Sequence, residues 1–292
     1  VWTAVVAVAL SPLPVAAQEY AIKLRPPGLG DKAEVKHSDR SEVDFKILDN
    51  TNTAIQDKKE TKAHKFAFRE VGLERGTGDE LVKIKRTYEH AERVIDGTRQ
   101  TLPYQGKTLA IEKKNNQFEF RIEGEDSALD GKEAEELWEE FNKGDFRKLL
   151  SDPMLPRKAV KVGEGWKVDA GLLAKEFTKD GKIEIDDTKA KGSGKLVKAY
   201  QKDGKQYGII ELALEFPVTA LTGDGNRVPT KEGKITIKAV REGPIDGSNG
   251  TSTLSVSFDG DIRAEFNANN MDLMLMIMVR ARAEETRTPM AK

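Results

Sequence analysis

Asp152-Pro-Met-Leu-Pro-Arg-Lys-Ala-Val-Lys-Val-Gly-Glu-Gly-Trp-Lys-Val-Asp169 holds a Pro-bounded entry, a short alternating strand at Val160 and Val162, a Gly-Glu-Gly turn and a Trp. Prolines keep the entry out of a helix, and the glycines permit a tight reversal. Trp166 then anchors the strand that follows as a structural residue. The stretch divides the chain into two β-rich halves.

Upstream, apolar residues alternate. Val35, Val43, Phe45 and Ile47 fall at odd positions of 32–48, which predicts a strand with one buried face. Phe66 and Phe68 do the same in 59–73, and Val82, Ile84 and Tyr88 in 81–95. Asp96-Gly97, Lys114-Asn-Asn116 and Lys202-Asp-Gly-Lys205 are hairpin signals. Near Asp130 the period changes. Asp130 is a candidate N-cap with Glu133 three residues on. Ala134, Leu137, Trp138 and Phe141 then follow at i, i+3, i+4 and i+7, one face of a helix. Residues 145–150 suggest a further helical turn.

Downstream, Asp169 can cap a short helix carrying Leu172, Leu173 and Phe177. Strands resume at 194–200, 206–216, 234–240, 251–258, 262–266 and 271–283, while Gly, Asp, Asn and Pro across 219–232 read as a loop. Strands in succession without intervening helices imply antiparallel pairing. The fold class is α+β, mainly antiparallel β: a long curved meander sheet or open half-barrel with two or three short helices packed on it. Residues 18–150 form an N-terminal β-meander half ending in the amphipathic helix, and 151–292 a C-terminal β half, within one continuous domain.

Composition narrows the function classes. Of 292 residues, 38% are hydrophobic and 33% charged, and the formal net charge is -1, so no overall positive field draws nucleic acid or an anionic membrane. Residues 1–17 carry no charge. Their apolar run to Leu10, the break at Ser11-Pro-Leu-Pro14, and Val15 and Ala17 before a cleavage point read as a signal peptide. The expected location is secreted or periplasmic, with no stable membrane anchor after cleavage. With no cysteine, disulfides, Cys-ligated zinc and thiol catalysis are excluded.

Candidate chemistry is sparse. Gly192-Ser-Gly-Lys195 lacks the Ser/Thr and the first Gly of a phosphate loop, and Gly163-Glu-Gly165 has Val168 where a dinucleotide fingerprint needs Gly. His37, His64 and His90 lie on three separate strands with polar neighbours and read as solvated strand faces; a metal site would require those strands to converge. Glu123 to Glu140 holds nine acidic residues, the wet side of the helix. No metal, cofactor or catalytic residue is assigned. Met274, Met276 and Met278 fall on one side of the last strand. Thioethers select Cu(I), but packing explains a run of Met more simply.

Three short motifs resemble an uncharacterised family of secreted β-rich proteins from planctomycete-type bacteria. They are Tyr20-Ala-Ile-Lys-Leu24, Tyr104-Gln-Gly-Lys-Thr-Leu109 and Val160-Lys-Val-Gly-Glu-Gly-Trp166. The resemblance implies a compartment and an architecture, and no activity. Three functions follow in order. The first is an exported non-catalytic β-scaffold or binding protein of the bacterial envelope, partnered by an envelope protein. The second is a carrier of an apolar or lipid-like small molecule, lined by Ala134, Leu137, Trp138, Phe141, Met274, Met276 and Met278 in a sheet–helix cavity. The third is a carboxylate-dependent hydrolase, for which no distinctive pair stands out.

Overall fold

A computed structural model describes residues 18–77, 80–143, 154–178, 181–223, 226–268 and 271–291. The proposed leader at 1–17 and the helical turn at 145–150 lie outside the described residues.

One open, 13-stranded antiparallel sheet dominates. Its first half is a meander: β2 (Lys32–Leu48), β3 (Ala54–Arg75), β4 (Leu81–Ile95), β5 (Thr98–Thr101), β6 (Thr108–Lys114) and β7 (Gln117–Ile122). Its second half comprises β9 (Gly165–Lys167), β10 (Ile183–Ile185), β11 (Lys191–Lys202), β12 (Lys205–Gly223), β13 (Asn226–Pro244), β14 (Ser252–Ala268) and β15 (Met271–Pro289). The strand order is β7-β6-β4-β3-β2-β15-β14-β13-β12-β11-β9, with β5 on β4 and β10 on β12. The last strand therefore pairs with β2 and joins the halves edge to edge, in register from Met274↔Leu48 to Pro289↔Ala33. A separate pair, β1 (Glu19–Tyr20) with β8 (Val160–Lys161), sets Tyr20 opposite Val160 and so brings two of the three quoted motifs together.

Turn chemistry accounts for the hairpins. Asp96 and Gly97, Asn115 and Asn116, and Asp203 and Gly204 all have positive φ, the condition for a two-residue turn that follows the twist of its strands. The expected loop at 219–232 is corrected: β12 and β13 continue through most of it and pair as far as Gly223↔Asn226. Pro217 and Pro229 are accommodated because the register shifts between Pro217 and Ala220, and a bulge relieves the ladder of the N–H that proline lacks.

The helical part is smaller than an α+β label implies. α1 (Glu135–Trp138) has four residues and runs into a five-residue π turn, Glu139–Lys143, while α2 (Ala170–Phe177) has eight. The Asp130 box forms: its carboxylate accepts from the Glu133 backbone N–H at 2.7 Å, although α1 proper starts five residues later. Asp169 caps α2 through the Gly171 N–H at 3.1 Å. Within α2, Leu173 and Ala174 face the sheet while Leu172 is exposed.

Both helices pack on the same face, here called inner, and each covers its own core. In the first half Phe68, Ile84, Tyr88, Ile111, Phe120 and Leu137 pack together. In the second, Leu173, Ile210, Leu214, Phe216, Ile237 and Val256 do so. The uncovered part of the inner face follows from lengths. β3 has 22 residues and β15 has 19, spans of roughly 60–75 Å at ~3.3 Å per residue. Helical segments of eight or nine residues extend about 12–14 Å at 1.5 Å per residue. They shield one zone of each half and leave the far ends of the central strands open.

Candidate functional site

The inner face of β2, β3, β4 and β15 is graded from charged to apolar. Cross-strand register puts Val35, His37, Asp39, Ser41, Val43, Phe45 and Ile47 of β2 on it, beside Arg287, Glu285, Ala283, Ala281, Val279, Ile277 and Leu275 of β15.

At the charged end, Arg86 is fully buried and Glu70 3% exposed. The Arg86 Nε donates to Glu70 at 2.7 Å, and its two terminal nitrogens grip Glu140 of the π turn at 2.8 and 2.9 Å. Its guanidinium carbon lies 4.3 Å from the Phe68 ring centre and 4.7 Å from that of Phe141, sandwiched between two aromatic faces. Burial would lower the Arg86 pKa, but Glu140, Tyr88 and Glu70 hold it well above its ordinary value. Arg287 reaches Glu70 at 2.9 Å, so one buried carboxylate links β3, β4 and the C-terminal strand. Burial pushes the Tyr88 phenol up to about 12.

One step along, Asp39 accepts hydrogen bonds from His64 Nδ1 at 2.8 Å and His37 Nε2 at 3.0 Å. Both rings stack on Phe66 at about 6 Å. Burial alone would raise the Asp39 carboxyl; the two histidines more than reverse this and bring it down to about 2. Burial would lower His37, yet its bond to Asp39 and the nearby Glu285 and Glu140 raise it above 6.5.

These shifts give a signed prediction. Asp39 contributes stability above pH 3.8, lost as pH falls toward 2; His37 contributes below pH 6.5, lost as pH rises through its raised value. Thermal stability is therefore expected to plateau between those limits, with the acid limb worth on the order of 2 kcal/mol. Asp39→Asn should flatten both limbs in a melting series. A wild-type melting temperature unchanged from about pH 2 to about pH 8 would contradict the coupling.

The histidines correct the sequence reading. His37 and His64 are half-buried and tied to Asp39 rather than solvated, while His90 falls on the opposite face, opposite Ala67 and near Glu92. Among the described residues no three His, Asp or Glu side chains converge to hold a metal ion.

At the apolar end, Val43, Phe45 and Ile47 of β2, Leu273, Leu275 and Val279 of β15, and Phe266 of β14 are half-buried and belong to neither core. Ile277 joins the margin of the second core. On the β3 side the strip is bordered by Gln56 and Lys58, both exposed, and by the half-buried Glu60.

The residues expected to line one cavity are not brought together. Ala134 and Leu137 are buried in the first core, Phe141 packs on Phe118 and Phe120, and Trp138 is 38% exposed. Of these four, Ala134, Leu137 and Phe141 still share the first core, and Trp138 alone leaves it. Met274, Met276 and Met278 lie on the face opposite the helices. There they are flanked by Glu265, Arg263 and Asp261 on β14 and by Leu48, Lys46 and Asp44 on β2. Trp166 is half-buried against the second core, and its indole N–H donates to the Met154 carbonyl at 2.9 Å.

Sequence reasoning missed Arg86 and the Phe45–Leu275 strip. Arg86 sits between Ile84 and Tyr88 on the same alternating face, a signal that was present.

No family model and no curated protein matches the chain. Solved structures to which it is similar share little identity with it, as three of them show. With an outer-membrane channel from Pseudomonas putida F1 it shares 8% identity over 91% of this chain and 97% of that one, TM-score 0.24. With the P. putida toluene transporter TodX the values are 6%, 90%, 91% and 0.19. With the Pseudomonas aeruginosa MucA/MucB complex they are 8%, 83%, 88% and 0.15. Scores this low assign neither fold nor function. No helix among the described residues is long and apolar enough to cross a membrane. The face opposite the helices carries Lys36, Arg40, Glu42, Asp259, Arg263 and Glu265, a charged surface where a lipid-embedded barrel presents an apolar band.

Proposed function

We propose that this chain is a non-catalytic binding protein of the bacterial envelope, with the open sheet as scaffold and the uncovered inner-face strip as the seat of an acyl chain. The observation that carries the reading is the strip itself: seven apolar side chains on three adjacent strands, outside both cores. Three strands at ~4.8 Å spacing and seven residues at ~3.3 Å give roughly 14 by 23 Å, about 300 Å². A stable protein–protein contact needs ~800 Å² per partner, so the area favours a small ligand over a second copy. Its longer dimension, roughly 23 Å, accommodates an extended chain. Its border carries both signs, Lys58 paired with Glu60 at 3.4 Å opposite Phe45 and Val43. Each methylene removed from water contributes about 0.8 kcal/mol.

The non-catalytic reading is supported by the charged end, where Arg86 and Asp39 are engaged in ion pairs that brace the sheet. The envelope reading is supported by the leader-like composition of residues 1–17 and by motifs that resemble those of secreted β-rich proteins.

A fluorescent fatty-acid probe tests the assignment. Wild type is expected to enhance its emission saturably, and oleate to displace it. Phe45→Gln combined with Leu275→Gln is expected to weaken binding about tenfold or more while leaving the far-UV spectrum unchanged. Equal binding by wild type and the double variant would refute the strip as the seat.

A further inference from the structure

A second feature lies apart from the strip, at the other end of the inner face. There the 25–32 segment, the turn after β13 and the end of β15 enclose a pocket of about 70 Å³. Its polar lining includes Arg25, Lys32, Arg241, Ser248, Ser252 and Arg287.

The hydrogen-bonding of this lining is incomplete, and the missing partners are all acceptors or anions. Among the described residues Arg241 makes no salt bridge; its guanidinium donates to the Pro244 carbonyl at 3.2 Å. Arg287 gives one terminal nitrogen to Glu70 at 2.9 Å, while the other is buried with no hydrogen-bond partner. The Ser248 hydroxyl is buried and turned to Asp246, whose carboxyl it helps hold down. The acid of the pocket, Asp31, is occupied by Arg25 at 2.7 Å and by the Gly28 N–H at 2.8 Å. Arg241 is folded back over Gly243, where an added Cβ would come within 3.0 Å of its Nη2, and Gly243 neighbours Ser252 on the facing strand. Ser252 in turn pairs with Arg287, so the two guanidinium groups are turned toward the same row.

A half-buried cation without a counter-ion is costly, and an orphaned buried donor adds to that cost. Burial brings Arg241 down to about 10. We propose that the pocket binds a phosphate group, as free phosphate or as a phosphate-bearing headgroup. Two guanidinium groups, one without a counter-ion and one with an unpartnered terminal nitrogen, supply donors that phosphate oxygens satisfy.

Calorimetric titration with inorganic phosphate, and separately with dihexanoyl phosphatidic acid, tests this. Wild type is expected to bind at least one saturably. Arg241→Gln should weaken that binding about tenfold or more. Arg40→Gln, on the opposite face, and the Phe45→Gln/Leu275→Gln variant should leave it unchanged. Arg287 is unsuited as the primary variant because it also holds Glu70. Equal affinity for the two ligands supports a free-phosphate site, and tighter binding of the lipid supports a headgroup site. Absence of binding by both, or an affinity unaltered in Arg241→Gln, overturns the proposal.

Discussion

Arg86→Met is expected to destabilise the protein by on the order of 3 kcal/mol, the usual consequence of removing one partner of a buried ion pair. For a domain of this size class that corresponds to a fall in melting temperature of roughly 6–12 °C. Three consequences combine. Glu70, 3% exposed, loses its closest cation and retains Arg287. Glu140 loses the two-pronged contact that fastens the π turn to the sheet. Phe68 and Phe141 lose the cation between their faces. Methionine refills much of the volume, so packing alone would predict a small effect. Adding Glu70→Gln to Arg86→Met should recover part of the loss, because the uncompensated carboxylate is then gone. A melting temperature for Arg86→Met within about 2 °C of wild type would show that the network does not brace this half.

Gly194→Ala is expected to cost about 2–3 kcal/mol, a large effect for one methyl group on a strand. A Cβ at Gly194 would lie 2.2 to 2.5 Å from three atoms of the Trp166 indole, closer than any real contact. The ring must leave its slot and surrender its hydrogen bond to the Met154 carbonyl. Trp166→Ala should itself cost about 3 kcal/mol. The diagnostic result is non-additivity. In the Trp166→Ala background, Gly194→Ala has nothing to strike and should cost less than about 0.5 kcal/mol. Additive losses in chemical denaturation would mean that the glycine serves some purpose other than seating the indole.

That pair shows how the Asp152–Asp169 stretch works. It was legible as a junction with a packing Trp, and the structure adds the surface the Trp packs on. Gly192 and Gly194 resemble fragments of a phosphate loop in sequence. In the fold they are strand positions kept bare for Val168 and Trp166.

Much of the sheet could be read from alternation. The odd positions of β2, the hairpins at Asp96-Gly97 and Asp203-Gly204, and the caps at Asp130 and Asp169 all rest on local chemistry that the chain states directly. What was not legible depends on pairing between distant strands. The junction of β2 with β15 spans nearly the whole chain, and it alone places Phe45 beside Ile277 and Val43 beside Val279. The same junction puts Met274, Met276 and Met278 opposite the helices, so a cavity shared between them and Leu137 could not form. Arg86 was overlooked for a different reason. A charged residue on a buried face violates the binary pattern and is resolved only by Glu70, Glu140 and Arg287, which come from three separate elements.

An acyl chain seated on the inner face of the joined strands, outside both cores, has a direct spectroscopic signature. Methyl-resolved NMR of the protein labelled at Ile, Leu and Val, titrated with oleate, tests it most directly. Resonances of Val43, Ile47, Leu273, Leu275 and Val279 are expected to shift together and saturate, while those of Leu137 and Leu173 in the two cores stay in place. Shifts centred on the core methyls, or a spectrum unmoved by oleate, would contradict the account.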